Sequence, residues 1–257
     1  RSIRPDAASA FLAVGAGRAI EPPIRGASLD IYQGYGWVFW QGIQITIAVA
    51  LCTAPVAIVM GLLGAWGKLT KFRPANTVAH IYTTGVPELV LILIVYYGVT
   101  IFLQWSLSEL TGGEVLIDID SFTAGVLTLG VIYGAFATEV FRGAFQAIPK
   151  GQIEAARSLG MSPLLTLRRV MMPQVWRFAL PGLGNVWLVL LKATALMSVI
   201  QLEELMRWTD IGARNTKLPF TFYLTASFLY LGLTIVSMAL QHRAEKWANR
   251  GIRRISS

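Results

Sequence analysis

From Ile31 to Gly67 the chain carries no Asp, Glu, Lys or Arg. A run of that length exceeds the roughly 20 helical residues needed to cross a hydrocarbon core. Further apolar runs lie at 76–104, 121–141, 178–200 and 218–240, and the first is centred on 37–66. They predict five membrane-spanning helices, because a lone strand would leave its backbone groups unpaired in lipid. The expected organisation is an all-α integral membrane protein: an N-terminal extension over 1–30, a transmembrane domain over 31–242 and a basic tail over 243–257.

Composition strengthens this picture. Hydrophobic residues make up 54% of the 257 positions and charged ones 14%, where a soluble domain carries about a quarter; the mean hydropathy is +0.57. Charge then orients the helices, since Lys and Arg collect on the cytoplasmic side of span ends. Lys68, Lys71 and Arg73 follow the first run. Arg142, Lys150, Arg157, Arg168, Arg169 and Arg177 lie around the third connection, and Arg243, Lys246, Arg250, Arg253 and Arg254 in the tail. With five spans all three groups share one side. The link over 105–120 has Glu109, Glu114, Asp118 and Asp120 but no Lys or Arg, and the link over 203–217 is of mixed sign. The N-terminus is therefore expected outside and the C-terminus in the cytoplasm.

The leader is the exception, with Arg1, Arg4, Arg18 and Arg25 on the outer side. Its weakly apolar stretch from Ala7 to Gly17 is interrupted by Ser9, so it reads as a poorly ordered extension more than as a signal peptide. The net charge of +8 falls mainly on the inner loops, which fits topology and lipid head-group contact and excludes a nucleic-acid footprint. Cys52 is the single cysteine and His80 and His242 are far apart in sequence, so neither a disulfide framework nor a metal set is expected.

One segment breaks the oily pattern, the polar, Arg-bearing insert over 143–174. Pro149 precedes a short helix expected over Ile153–Leu159 and stopped at Gly160, a residue suited to the left-handed conformation past a helix end. Ser162 is placed to cap a second helix with Pro163 in its first turn, and Pro173 to end or bend that helix. The product is a helix-turn-helix on the inner face. Ala155 and Ala156 are small enough for another surface to approach, with Glu154 and Arg157 as polar contacts beside them. No GxxxxGK followed by Ser or Thr occurs, so the chain lacks a phosphate-cradling loop of its own.

The spacing of Glu154-Ala155-Ala156, Gly160, Val170 and Met172-Pro173 resembles the "EAA" loop of ATP-binding-cassette (ABC) importer permeases. The resemblance extends over about 34–250, through GLLGAWGKLTK (61–71), YTTGVPELVLILIVYYGV (82–99), IDIDSFTAGVLTLGVIYGAFATEVFRGAF (117–145), ALPGLGNVWLVLLKATALMSVIQLEEL (179–205) and FYLTASFLYLGLTIVS (222–237). These segments are similar to polar amino acid importer permeases, and most to the Q-type subunits of importers for histidine, lysine, arginine, ornithine and opines. Thr84, where the wider family has Arg, and KATAL at 192–196, where many relatives read Lys-Asp-Thr-Ser-Leu, are departures. The resemblance implies a type I ABC importer permease fold in a bacterial inner membrane, with a coupling helix. It implies a homologous second permease subunit, two ATP-binding subunits that carry ATP and Mg, and a periplasmic solute-binding protein. It implies that Gly151, Gln152, Glu154, Ala155, Ala156, Arg157 and Gly160 meet the ATPase.

Ionisable residues within spans default to functional suspicion. Glu88 falls near the middle of the second expected span, Lys192 near the middle of the fourth with Thr194 beside it, and Glu139 towards the cytoplasmic end of the third. Two readings stand for Glu88 and Lys192: contact with a polar, basic substrate, or a buried pair that fixes helix register. For Glu139, an ion pair with Arg142 one turn on is favoured over ligand contact. A rival class is an ion-coupled secondary transporter or channel using Glu88, Glu139 and Lys192. Gly130 and Gly134, and the Gly61, Gly64, Gly67 series, allow close helix approach, either within the chain or with a partner. The eight Trp residues read mostly as interfacial anchors, with Trp187 as core.

Overall fold

The computed structural model describes Tyr32 and residues 34–69, 87–113 and 120–250. The leader, His80, Thr84, Glu114, Asp118 and the last seven residues lie outside the described residues, as does the first part of the expected second span. Seven helices make up the rest: α1 Trp37–Leu69, α2 Glu88–Thr111, α3 Ser121–Gln146, α4 Lys150–Ser158, α5 Pro163–Ile200, α6 Leu205–Thr216 and α7 Pro219–Ala248. Five of them, α1, α2, α3, α5 and α7, are long and apolar enough to cross a membrane.

Helix ends follow local chemistry. The carboxylate of Asp120 accepts from the Thr123 N–H at 3.0 Å and opens α3, satisfying one of the donors a helix start leaves free. α2 was expected over 76–104; its described part begins at Glu88, behind Pro87, and runs on to Thr111. Trp105, Leu107 and Leu110 keep it apolar enough to continue, and Gly112 then stops it at φ 67. Glu88 therefore sits in the first turn of the described helix and not midway along it.

The centre of the fold is the contact between α1 and α3. A methyl group added at Gly134 would come within 2.5 Å of Met60 Cβ, one at Gly130 within 2.8 Å of Val56 Cβ, and one at Gly61 within 2.6 Å of Ala137 Cβ. The paired numbers rise together, from 56 with 130 to 60 with 134 and 61 with 137, so the two helices run parallel. That is the geometry required of spans separated by one crossing. Gly61, Gly130 and Gly134 thus serve packing inside the chain, while a Cβ added at Gly67 would meet no other helix within 4 Å.

Around this pair lie three apolar clusters. One, including Leu91, Leu129, Tyr133, Leu190 and Met197, joins α1, α2, α3 and α5, with Trp187 packed against it. A second, of Ala65, Phe141, Ala144, Val175 and Ala179, holds α1, α3 and α5 where the polar insert emerges. The third, of Val38, Phe39, Leu205, Trp208 and Phe222, binds α6 at the opposite end. Trp208, expected as an interfacial anchor, is instead core: its ring lies 5.4 Å from that of Trp37. Trp40, Trp66, Trp105 and Trp247 are exposed on the outside of the helices.

Replacing Gly130 by Leu forces side-chain atoms into Val56 and should cost about 1–3 kcal/mol of stability, as overpacked cores do. Gly143→Ala, whose added Cβ would meet no neighbouring element within 4 Å, should be neutral or stabilising by about 0.5–1 kcal/mol. Thermal unfolding in detergent, followed by size-exclusion fluorescence, separates the two; equal melting would contradict the packing described.

Candidate functional site

The polar insert is more continuous with the membrane helices than its sequence suggests. α4 starts at Lys150, directly after Pro149, and ends at Ser158. Gly160 follows with φ 75, a conformation costly for any residue with a Cβ. Ser162 Oγ accepts from the Leu165 N–H at 3.3 Å and opens α5, with Pro163 in its first turn. Pro173, expected to end or bend this second helix, does not end it. A π-helical turn over Leu167–Met171 precedes it, in which the Met172 N–H donates to the Leu167 carbonyl, and α5 then continues through Ala193. A proline clashes with the carbonyl four residues back, here Arg169; the wider π turn makes room for the ring.

α4 is held to the bundle by one narrow stripe. Ile153 packs against the cluster that contains Phe141, Ala144 and Val175, and Ala156, three residues on, is buried. Ala156 is therefore turned inward by helical periodicity and is not part of an open docking face. Gly151, Gln152, Glu154, Ala155, Arg157 and Gly160 are exposed. Two apolar side chains that the sequence reading passed over join them, Leu159 at 80% and Leu164 at 74% exposure. Arg168 and Arg169 are exposed beside them. Exposed leucines within a polar loop were the available signal. Gln152 is tied across to α5, accepting a hydrogen bond from Gln174 Nε2 at 2.7 Å.

At the same end of the bundle, Glu139 binds two cations. Arg142 Nη2 lies 2.7 Å from Glu139 Oε2, as the i, i+3 spacing predicts, and Lys68 Nζ donates to Oε1. Lys68 follows the first apolar run in sequence, and α1 extends far enough to carry it in its last turn. With both carboxylate oxygens engaged, Glu139 links α1 to α3.

Glu88 and Lys192 do not form an ion pair among the described residues. Glu88 instead accepts from Tyr133 Oη at 3.1 Å, and Lys192 is exposed. Thr194 is fully buried and donates to the Leu191 carbonyl at 2.8 Å, so its hydroxyl lines no open surface.

Thr194 leads to a cluster that sequence reading missed. The carboxylate of Glu204 is fully buried and opens α6, accepting from the Met206 and Arg207 N–H groups at 2.8 Å each. Tyr230 Oη of α7 donates to it at 2.8 Å. Thr46 of α1 accepts from the Leu205 N–H at 3.1 Å. Three successive orphan donors of α6 are thereby satisfied. Burial pushes the Glu204 carboxyl up to about 7 against the lowering effect of these donors. Glutamate is not among the common N-cap residues, which is why the position gave no signal; the amphipathic period of 205–216 was the available one.

Comparison with known proteins places this geometry. Residues 57–250 match the family described as "Binding-protein-dependent transport system inner membrane component". The nopaline transport system permease protein NocQ of Agrobacterium fabrum is 48% identical over 223 residues, which cover 86% of this chain and 94% of that protein. The histidine/lysine/arginine/ornithine transport system permease protein HisQ of Escherichia coli is 42% identical over 224 residues, covering 86% and 97%. Among solved structures, a chain from the "Crystal structure of an amino acid ABC transporter with histidines" superposes with a TM-score of 0.69 at 32% identity, covering 86% of this chain and 99% of that one.

The raised Glu204 carboxyl gives a signed pH dependence. A carboxyl whose folded value lies above its ordinary 4.5 stabilises most when protonated, and that contribution is lost as pH rises through about 7. Melting temperature should therefore fall between pH 5 and pH 8, and Glu204→Gln should flatten this part of the profile. An unchanged slope in the variant would remove Glu204 as its source.

Proposed function

Because the chain belongs to the family of binding-protein-dependent transport system inner membrane components, we propose that its polar insert is the surface through which a separate ATPase moves the membrane helices. The chain is a multi-pass permease subunit of an ABC importer, and ATP is hydrolysed by a separate subunit in such importers. Its own contribution is mechanical. The observation that carries the reading is the seat of α4: bound to the bundle through Ile153 and Ala156, closed by left-handed Gly160, and open to a partner through Gly151, Gln152, Glu154, Ala155 and Arg157. In this reading Leu159 and Leu164 are the apolar anchors. The charge bias puts this end of the bundle and the C-terminus in the cytoplasm and the N-terminus outside.

The complete importer in this proposal contains a second, homologous permease subunit, two ATP-binding subunits carrying ATP and Mg, and a periplasmic solute-binding protein. ATP drives alternating access because the docked ATPases bind one conformation of the helices better than the other; without that differential affinity no work is transmitted. The substrate is a polar, basic amino acid or an opine. The similarity to permeases named for nopaline and for histidine, lysine, arginine and ornithine supports this. So does Glu88, a carboxylate in the first turn of α2 that no Lys or Arg neutralises among the described residues. Lys192, exposed on α5, is placed to meet a substrate carboxylate or to balance charge in this scheme. An ion-coupled transporter is not favoured: Glu139 is already held by Lys68 and Arg142.

Gly160→Val forces a β-branched residue into a left-handed backbone, at about 1–2 kcal/mol or more. It should leave the protein inserted while binding-protein-stimulated ATP hydrolysis by the assembled importer falls several-fold; normal stimulation in membrane-inserted protein contradicts the docking role. Glu88→Gln removes a charge-assisted contact of about 1.5 kcal/mol and should lower arginine uptake about ten-fold, with less effect on a neutral amino acid. Unchanged uptake of both removes Glu88 from the substrate path.

A further inference from the structure

α4 touches the bundle by packing, but packing alone lets a helix roll or slide. The hydrogen bonds of Gln174 remove that freedom. Its Nε2 donates to the Val170 carbonyl at 2.8 Å and to Gln152 Oε1 at 2.7 Å. The orientation of this amide follows from chemistry: a backbone carbonyl only accepts, so the nitrogen must face Val170, and its second hydrogen then reaches Gln152. Val170 belongs to the π-helical turn, and Pro173 immediately precedes Gln174. One side chain thus joins the exposed helix α4 to the π turn of α5, at the point where α5 turns from the insert into a membrane-crossing helix. Single π turns within α-helices are rare and are found frequently at functional sites.

We infer that Gln174 is a positioning residue for energy coupling: it clamps α4 to the π turn of α5, so that displacement of α4 is passed into the fourth span. The inference rests on the reading of α4 as the ATPase-docking helix and adds the connection that makes docking productive. Without the clamp α4 rolls on the Ile153–Ala156 stripe and the π turn absorbs the movement. The chemistry demanded at position 174 is a donor of two hydrogen bonds. Glutamate has the size but donates nothing, and it would set a carboxylate against the Val170 carbonyl. Arginine is longer and retains several donors.

The test uses the complete importer, permease subunits, ATPase and binding protein together, reconstituted in nanodiscs and proteoliposomes. Retention of the ATPase subunit, basal hydrolysis, binding-protein-stimulated hydrolysis and uptake are measured for wild type, Gln174→Glu and Gln174→Arg. For Gln174→Glu the expected result is an assembled complex, basal hydrolysis within about two-fold of wild type, and at least a ten-fold loss of stimulation and uptake. Gln174→Arg should recover most of both. Full coupling in Gln174→Glu overturns the inference, and so does loss of the ATPase subunit from that variant, which would make Gln174 a docking residue. Failure of Gln174→Arg to recover coupling in an assembled complex overturns the donor argument. If instead a complex that keeps Gln174 retains its ATPase after the exposed face of α4 is replaced, the reading of α4 as the docking helix fails, an outcome distinct from the others.

Discussion

The described helices are arranged around the close parallel approach of α1 and α3. Side chains larger than hydrogen at Gly61, Gly130 and Gly134 would meet Ala137, Val56 and Met60, so the two backbones are held nearer than ordinary core residues allow. In lipid, where burying apolar surface supplies little drive between helices, such shape matching is a main source of cohesion. α2 and α5 pack on this pair through Leu91, Tyr133 and Leu190. The Lys68–Glu139–Arg142 ion pairs then lock α1 to α3 at one end.

The two ends of the bundle solve opposite problems. At one, the fully buried Glu204 caps α6 through the Met206 and Arg207 N–H groups, and α6 is anchored to α7 by Tyr230, which donates to Glu204, and to α1 by Thr46, which accepts from the Leu205 N–H. A buried carboxylate with this many donors sets orientation strictly, at the expense of desolvation. At the other end α4 keeps only Ile153 and Ala156 inward and leaves the rest of its surface open. Rigid attachment suits a helix that must keep its place among the spans. Partial attachment suits one that must carry a load between subunits.

Much of the insert was legible because its parts are local. Gly160 adopts the left-handed backbone, Ser162 caps, and Pro163 occupies a first turn, each following from the residue's own stereochemistry. Glu139 with Arg142 was legible for the same reason, being one helical turn apart. Lys68 on Glu139 and Tyr133 on Glu88 were not, since 71 and 45 residues separate the partners. Pro173 shows how a correct local rule can mislead. The proline does perturb the helix, but the backbone answers with a π turn and stays continuous.

The sequence by itself determined the class of the molecule: charge-free runs long enough to span lipid, a side bias of Lys and Arg, and a polar insert whose turn residues are self-sufficient. These are properties of single residues and of their nearest neighbours along a helix. The tertiary structure decided which charges meet, which glycines face which helix, that Ala156 points inward while Ala155 does not, and that Gln174 reaches both Gln152 and Val170. Those outcomes depend on helix rotation and depth. Helices that are apolar nearly all round carry little record of either, and only their packing settles them.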